Sequence, residues 1–179
     1  MKNLQAQKGF TLVEIAIVLV IIGLLLGGVL KGQELIENSK VKSVVQDFEN
    51  ISAAYYAYKD RKNEYPGATA SDFFKDLRDE GFITGTGTAA PKHALDASDG
   101  TFTYVAAASG NLIPNKKMIC ASGIEDNIAT NIDTKLDDGV GNTGSMRGIV
   151  ETTAGTAVTT GTATVYSATG ASFTVCREL

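Results

Sequence analysis

The sequence predicts an α+β protein in which one long N-terminal helix packs on a small antiparallel sheet. Three observations support this class: an apolar run at residues 10–30, an amphipathic helical stripe that continues to about residue 59, and short strand-like segments after residue 100. The 179 residues suit one domain with an appendage. Hydrophobic residues make up 44% of the chain, which excludes disorder on grounds of composition.

The apolar run is long enough to cross a bilayer. Its 21 residues contain one charge, Glu14, and as a helix rising about 1.5 Å per residue they would span about 32 Å. The preceding residues 1–9 carry Lys2 and Lys8 and no acid, so the positive-inside rule keeps the N-terminus cytoplasmic and exports the remainder. An ordinary signal peptide fits poorly, because the run is too long and no Ala-x-Ala site follows it. A plain membrane anchor would explain the length but not the carboxylate.

Glu14 is the informative residue of this run. A charge kept inside a membrane helix usually has a partner, because an acid at the helix centre costs about 2.5–3.5 kcal/mol. If the chain were cut after Gly9, Glu14 of one subunit could meet the new Phe10 amine of the next subunit in a helical array. Such a pair would set the register between subunits, since breaking it leaves one charge stranded. A tolerated interfacial glutamate is the alternative.

Residues 8–14, KGFTLVE, resemble the processing motif of type IV pilins and type II secretion pseudopilins. The resemblance is close over residues 1–30 and only general beyond them. It implies that a prepilin peptidase removes leader residues 1–9 by cleavage between Gly9 and Phe10, that the Phe10 amine is N-methylated, and that Glu14 acts in assembly. It also implies a pilin-like fold and a homo-oligomeric helical filament, drawn from the inner membrane by a pilus assembly platform.

Three functions stay open. The first is a type IV pilin, held in the inner membrane before assembly and then part of an extracellular pilus for adhesion, twitching motility or DNA uptake. The second is a type II pseudopilin in a periplasmic filament for protein secretion; the large head and the cysteine pair favour the first. The third is a membrane-anchored periplasmic protein that does not polymerise.

The helix is predicted to continue past the apolar run. Apolar side chains recur there at helical spacing, at Val41, Val44, Val45, Phe48, Ile51, Tyr55 and Tyr58. No proline occurs before Pro66, so we expect one helix over residues 10–59. Residues 10–30 would span the membrane or form the filament core, and residues 31–59 would pack on the head.

Residues 60–179 are expected to form a globular α+β head. Its predicted elements are a short helix starting at residues 71–77 and capped by Gly81, strands at 101–107 and 117–121, a second helix at 124–136, a turn-rich segment at 139–147, and strands at 162–167 and 172–176 joined through Thr169-Gly170. His93, in a loop, is expected at the surface.

The two cysteines, Cys120 and Cys176, allow at most one internal disulfide. An exported head lies in an oxidising compartment, so we expect this bond rather than two free buried thiols. It would tie the last strand to the sheet, and the resemblance to pilins implies that it bounds a C-terminal region, residues 120–176.

Catalysis, metal binding and nucleic-acid binding are not predicted. The net charge is −4, with no basic cluster, and a single histidine excludes a His-rich metal site. We find no nucleophile–base pair and no phosphate loop, so neither an enzyme nor a cofactor is expected. Asp133, Asp137 and Asp138 are a weak calcium candidate, but their spacing departs from the alternating calcium-loop pattern and favours a solvated helix end and turn.

Overall fold

The computed structural model describes residue 9 and residues 11–95, 100–167 and 170–179. Contacts divide the chain into two compact units, Met1–Ser39 and Lys40–Leu179. The second unit is the head.

The first helix, α1, spans Leu12–Lys62 and so ends three residues later than predicted. It contains no proline, and basic side chains in its last turn interact favourably with the negative end of the helix dipole. Asn63 ends it, with a left-handed φ of 59° that asparagine tolerates better than most residues. The prediction of one long, uninterrupted helix is confirmed.

In the first unit, none of the described residues is buried. The large apolar side chains of this part of α1 are exposed all round the helix, from 46% at Ile22 to 88% at Leu12. A soluble protein rarely exposes a continuous apolar surface of this extent unless another molecule covers it.

In the head, one stripe of α1 is buried, and it is the predicted one. Its buried members are Val41, Val44, Phe48, Ile51, Ala54, Tyr55 and Tyr58. Val45 is only partly buried at the margin of the same core. The spacing therefore identified the face of this part of α1 that packs in the head.

The other elements of the head are α2 (Phe73–Asp79), β1 (Phe102–Val105), β2 (Met118–Glu125), α3 (Asp126–Leu136), β3 (Met146–Val150) and β4 (Ser172–Glu178). The strands form one sheet in the order β1-β2-β4-β3, and every pair is antiparallel. One set of its buried side chains shares a core with those of α1, α2 and α3, whereas Met118, Cys120 and Cys176 belong to a second, smaller cluster. The α+β class is confirmed.

One predicted strand is wrong: residues 162–167 form no strand. They run beside β3, where the Thr164 N–H donates to the Gly148 carbonyl at 2.8 Å, but the Gly148 N–H donates to Gly141 instead. Because the outer edge of β3 is shared between two loops, no ladder forms there. The hairpin turn predicted at Thr169-Gly170 includes Thr169, which lies outside the described residues.

The strand that flanks β4 at the sheet edge is β3, which overlaps the segment predicted to be turn-rich. Arginine and glycine interrupt its apolar pattern, so the sequence of β3 carries little strand signal. The predicted second helix begins later than expected, at Asp126, because Ile124 belongs to β2. Gly81 does terminate α2: it has φ +76°, and its N–H donates to the Arg78 carbonyl.

Candidate functional site

The N-terminus of α1 is closed by a reciprocal hydrogen-bonded pair, Thr11 and Glu14. The Glu14 N–H donates to Thr11 Oγ1 at 3.2 Å, and Glu14 Oε2 accepts from both the Thr11 N–H and the Thr11 hydroxyl at 2.8 Å. This is a capping box, in which the threonine and the glutamate satisfy backbone N–H groups that the first helical turn leaves without partners.

The capping box gives Glu14 a partner within its own chain. It also places the carboxylate at the positive end of the helix dipole, where negative charge is stabilised. Sequence analysis considered only a partner from a neighbouring subunit, although the Thr-x-x-Glu spacing is itself a sign of this cap. Gly9 is exposed, whereas Phe10 lies outside the described residues, so the cleavage point and the expected Glu14–Phe10 pair remain predictions.

The helix that follows this cap carries the exposed apolar surface. In the described part of the chain, α1 is the one helix that is long and apolar enough to cross a membrane, judged by length and composition. Gly23, Gly27 and Gly28 lie within this surface, and a Cβ added at any of them would meet nothing within 4 Å. The cap and the apolar surface together form the candidate assembly site.

The disulfide is confirmed: Cys120 and Cys176 are bonded to each other. They are directly paired residues of β2 and β4, with Cα atoms 3.9 Å apart, and both are fully buried. The bond therefore links two strands that are already hydrogen-bonded neighbours, and the region that it bounds contains α3 and β3.

The three candidate calcium ligands do come together. One ligand oxygen from each of Asp133, Asp137 and Asp138 lies within 4.8 Å of the others. However, Asp133 accepts hydrogen bonds from the Gly139 N–H and the Tyr166 hydroxyl, and both oxygens of Asp138 accept bonds from the following turn. In this arrangement the carboxylate oxygens accept hydrogen bonds from protein groups, which leaves fewer lone pairs to coordinate a calcium ion. The acids therefore stay a weak calcium candidate, and the solvated helix end and turn stay the prediction.

The environments of these acids differ. Burial raises the pKa of Asp133, which is fully buried, against the opposing effect of its hydrogen bonds from Tyr166 and Gly139. Hydrogen bonds from the Thr143 hydroxyl and the Val140 N–H lower the pKa of the exposed Asp138. Burial also raises the pKa of Tyr166, and the neighbouring Asp133 carboxylate adds to that shift.

The expectation that His93 lies at the surface is wrong, because its side chain is 4% exposed. Its Nε2 donates to the Ser122 carbonyl at 2.7 Å, and its Nδ1 accepts from the Leu95 N–H at 3.3 Å. The imidazole packs edge-on against Phe102, and a Cβ at Gly100 would lie 2.4 Å from Nε2. His93 therefore fixes the loop before β1 against the bulge in β2.

Glu151, which the sequence does not mark as a functional residue, is a buried carboxylate that organises the threonine-rich loop after β3. Its Oε1 accepts from the Gly123 N–H and the Thr174 hydroxyl, and its Oε2 accepts from the Gly155 N–H and the Ser172 hydroxyl. All four donors lie 2.7 or 2.8 Å away. No local sequence pattern marks this residue, because its partners lie on β2, β4 and its own loop.

Comparison with known proteins identifies the N-terminal segment. The prokaryotic N-terminal methylation motif matches residues 4–30. The structure of the major type IV pilin PilA1 from Clostridium difficile is similar at 12% sequence identity, with a TM-score of 0.48 over 80% of this chain and 96% of that one. No curated protein sequence matches. The motif supports the resemblance seen in the sequence: residues 4–30 of this chain carry the prokaryotic N-terminal methylation motif.

Proposed function

We propose that this chain is a pilin, the structural subunit of a type IV pilus filament, and that it has no enzymatic role. One observation carries the proposal. None of the described residues of the first unit is buried, and its apolar helix, which is long enough to cross a bilayer, overlaps the methylation motif at residues 4–30. A surface of this kind requires lipid or other subunits to cover it.

The proposed sequence of events starts in the inner membrane, with the N-terminus cytoplasmic and the head exported. A prepilin peptidase cuts between Gly9 and Phe10, and the new Phe10 amine is methylated. The assembly platform then transfers the helix from lipid into a filament, where apolar side chains of neighbouring copies replace lipid contacts.

Glu14 directs the register in this proposal. The capping box holds the carboxylate at the N-terminal end of α1, which is where the amine of a neighbouring subunit would arrive. The capping bonds satisfy the carboxylate before assembly, and the neighbouring amine adds a charged partner during assembly. Both steps favour an acid at position 14 over any apolar residue.

The pilin and pseudopilin alternatives share this mechanism and differ in where the filament lies. The disulfide-bounded C-terminal region supports a pilin, which would serve adhesion, motility or DNA uptake outside the cell. A pseudopilin would assemble in the periplasm and serve secretion.

Mass spectrometry of the protein purified from its native host tests processing. We expect an N-terminus at Phe10 with one added methyl group, and a Gly9→Val variant that keeps the leader. An N-terminus at Met1 in the native protein would contradict the proposal and favour an anchored, unpolymerised protein.

Electron microscopy of material sheared from the cell surface tests the location. Antibodies to the head should label surface filaments in the parent strain and none in the Gly9→Val strain. Processed protein without surface filaments would favour the pseudopilin.

A further inference from the structure

Tyrosine and lysine side chains form a cluster on the head that the proposed function does not use. We call Tyr55, Tyr56, Tyr65, Lys59 and Lys117 the Tyr–Lys cluster. The rings of Tyr55 and Tyr65 stack with centroids 4.9 Å apart. Lys117 Nζ lies 4.0 Å from the Tyr65 centroid, and Lys59 Nζ lies 4.6 Å from the same centroid. Two ammonium groups therefore converge on one ring.

The cluster is a product of the tertiary fold. Asn63 ends α1 in a left-handed conformation, and the chain then turns so that Tyr65 packs on Tyr55 of the helix. Lys117, which immediately precedes β2, reaches the same ring from the sheet. Tyr65 is 42% exposed and Tyr56 is 47% exposed, so part of the aromatic surface faces solvent.

The two lysines of the cluster differ from their neighbours in charge pairing. Lys62 pairs with Glu80, and Lys116 pairs with Glu178. Among the residues that the structure describes, no ion pair joins Lys59 or Lys117 to a carboxylate. Two positive charges this close to one ring raise the local positive potential, which attracts an anion. Each ammonium group also offers hydrogen-bond donors to such an anion.

We propose that the Tyr–Lys cluster binds the carboxylate of an acidic sugar, such as a uronic acid. The two ammonium groups receive the carboxylate, and the exposed parts of Tyr56 and Tyr65 pack against the apolar C–H face of the sugar ring.

The surrounding charges favour one carboxylate over a polyanion. The exposed Asp60 and Glu64 are the sequence neighbours of Lys59 and Tyr65, and the whole chain carries a net charge of −4. A long polyanion such as nucleic acid would meet these acids beyond the two lysines, and the overall field would repel it. A single acidic sugar is small enough to meet only the cluster.

Titration of the full-length chain in detergent micelles with sodium glucuronate tests the proposal, followed by NMR of the tyrosine rings. We expect saturable shifts, and none with neutral glucose. The double variant Lys59→Gln/Lys117→Gln should bind glucuronate about tenfold more weakly or not at all, because charge-assisted hydrogen bonds are lost.

The matched control is Lys62→Gln/Lys116→Gln, which removes the same charge from the paired lysines. We expect it to bind glucuronate like the parent, and circular dichroism checks that both variants are folded. Equal loss in both variants, equal binding of glucose, no binding of glucuronate, or tighter binding of a single-stranded oligonucleotide would each overturn the proposal. Because the experiment uses unassembled protein, its failure would leave the filament proposal intact.

Discussion

The two units use α1 in different ways, and valines on the same helix illustrate the contrast. Val20 in the first unit is 63% exposed, whereas Val44 in the head is fully buried. Both lie in regular helix, so local conformation does not distinguish them. In the head the apolar residues form one stripe that the sheet and short helices cover; in the first unit they surround the helix. Folding of one chain therefore stabilises the head, whereas the apolar surface of the first unit stays exposed, and the proposed function has lipid or other copies cover it.

Among tests of the contrast between the two units, we expect the largest effect from a substitution of Glu14, which lies in the first unit. We expect Glu14→Ala to be processed normally but to form almost no filaments, because leaving a neighbouring amine without its buried partner costs about 3–5 kcal/mol. Filament yield from sheared cells and the mass of the membrane pool measure the two steps.

Glu34→Ala is the matched control for Glu14. It removes the same charge from the same helix, but Glu34 is exposed and pairs with Lys31 within one turn. Its filament yield should stay near that of the parent. Normal filament yield from Glu14→Ala would contradict a role for this carboxylate in assembly.

Removal of the disulfide should act on the head alone. We expect Cys120→Ala/Cys176→Ala to lower the free energy of unfolding by about 4 kcal/mol, because the bond closes a long loop in the unfolded chain. Denaturant unfolding of the full-length chain in micelles, followed by tyrosine fluorescence, measures this. A change below about 1 kcal/mol would contradict this prediction and would mean that the unfolded chain already holds the two positions close together.

A pair of identical leucine substitutions tests the contrast directly. Leu77 is fully buried in the head, whereas Leu25 is 63% exposed in the first unit. We expect Leu77→Ala to lower the free energy of unfolding of the head by about 3 kcal/mol, because it leaves a cavity.

Leu25→Ala should leave the same unfolding transition unchanged, since that side chain is largely exposed and belongs to no buried core of the head. Equal destabilisation by the two variants would show that the first unit takes part in the folding of the head, and the contrast would fail.

The smallest expected effect is a pH dependence within the acidic turn. Burial raises the pKa of Asp133 above its usual 3.8, so the folded protein binds this proton more tightly than the unfolded chain does. The protonated Asp133 carboxyl therefore stabilises the folded state at low pH. This stabilisation is lost as the pH rises from about 3.8 through the pKa of Asp133 in the folded protein. The parent should therefore lose stability relative to Asp133→Asn across that window, measured by denaturant unfolding at a series of pH values.

Asp138→Asn is the control, because the pH dependence of stability should have the opposite sign there. Hydrogen bonds lower the pKa of Asp138, so its contribution is present above 3.8 and is lost as the pH falls through the folded pKa. The parent should lose stability relative to Asp138→Asn only on acidification below about 3.8. Parallel pH profiles for the parent and both variants would contradict the assigned environments.

The candidate assembly site was largely predictable, because its signals are local in sequence. Gly9, Phe10 and Glu14 stand together in a short motif, and the motif is followed directly by the apolar run. The role of Thr11 in the capping box was missed, although its spacing from Glu14 was visible. The pairing of Glu14 with a neighbouring amine concerns another copy of the chain and stays a prediction.

The head was predicted in outline but not in detail. Strong periodicity identified the buried stripe of α1, and residues 172–176, predicted as a strand, lie within β4. Strand β3 and the coil at residues 162–167 were misassigned, because both choices depend on which segment reaches the free edge of β4. Two short segments of modest strand propensity compete for that edge, and packing decides between them.

The sequence by itself determined the methylation motif, the continuity of the first helix, the apolar character of its first part, the α+β class and the single possible disulfide. These properties follow from periodicity, composition and the number of cysteines, which no later contact can alter. Only the tertiary structure decided that His93 and Glu151 are buried, that the acidic turn satisfies its own carboxylates, and that Lys59 and Lys117 meet at Tyr65. Each of these depends on residues far apart in the chain or on the conformation of a loop, which packing fixes and local propensity does not.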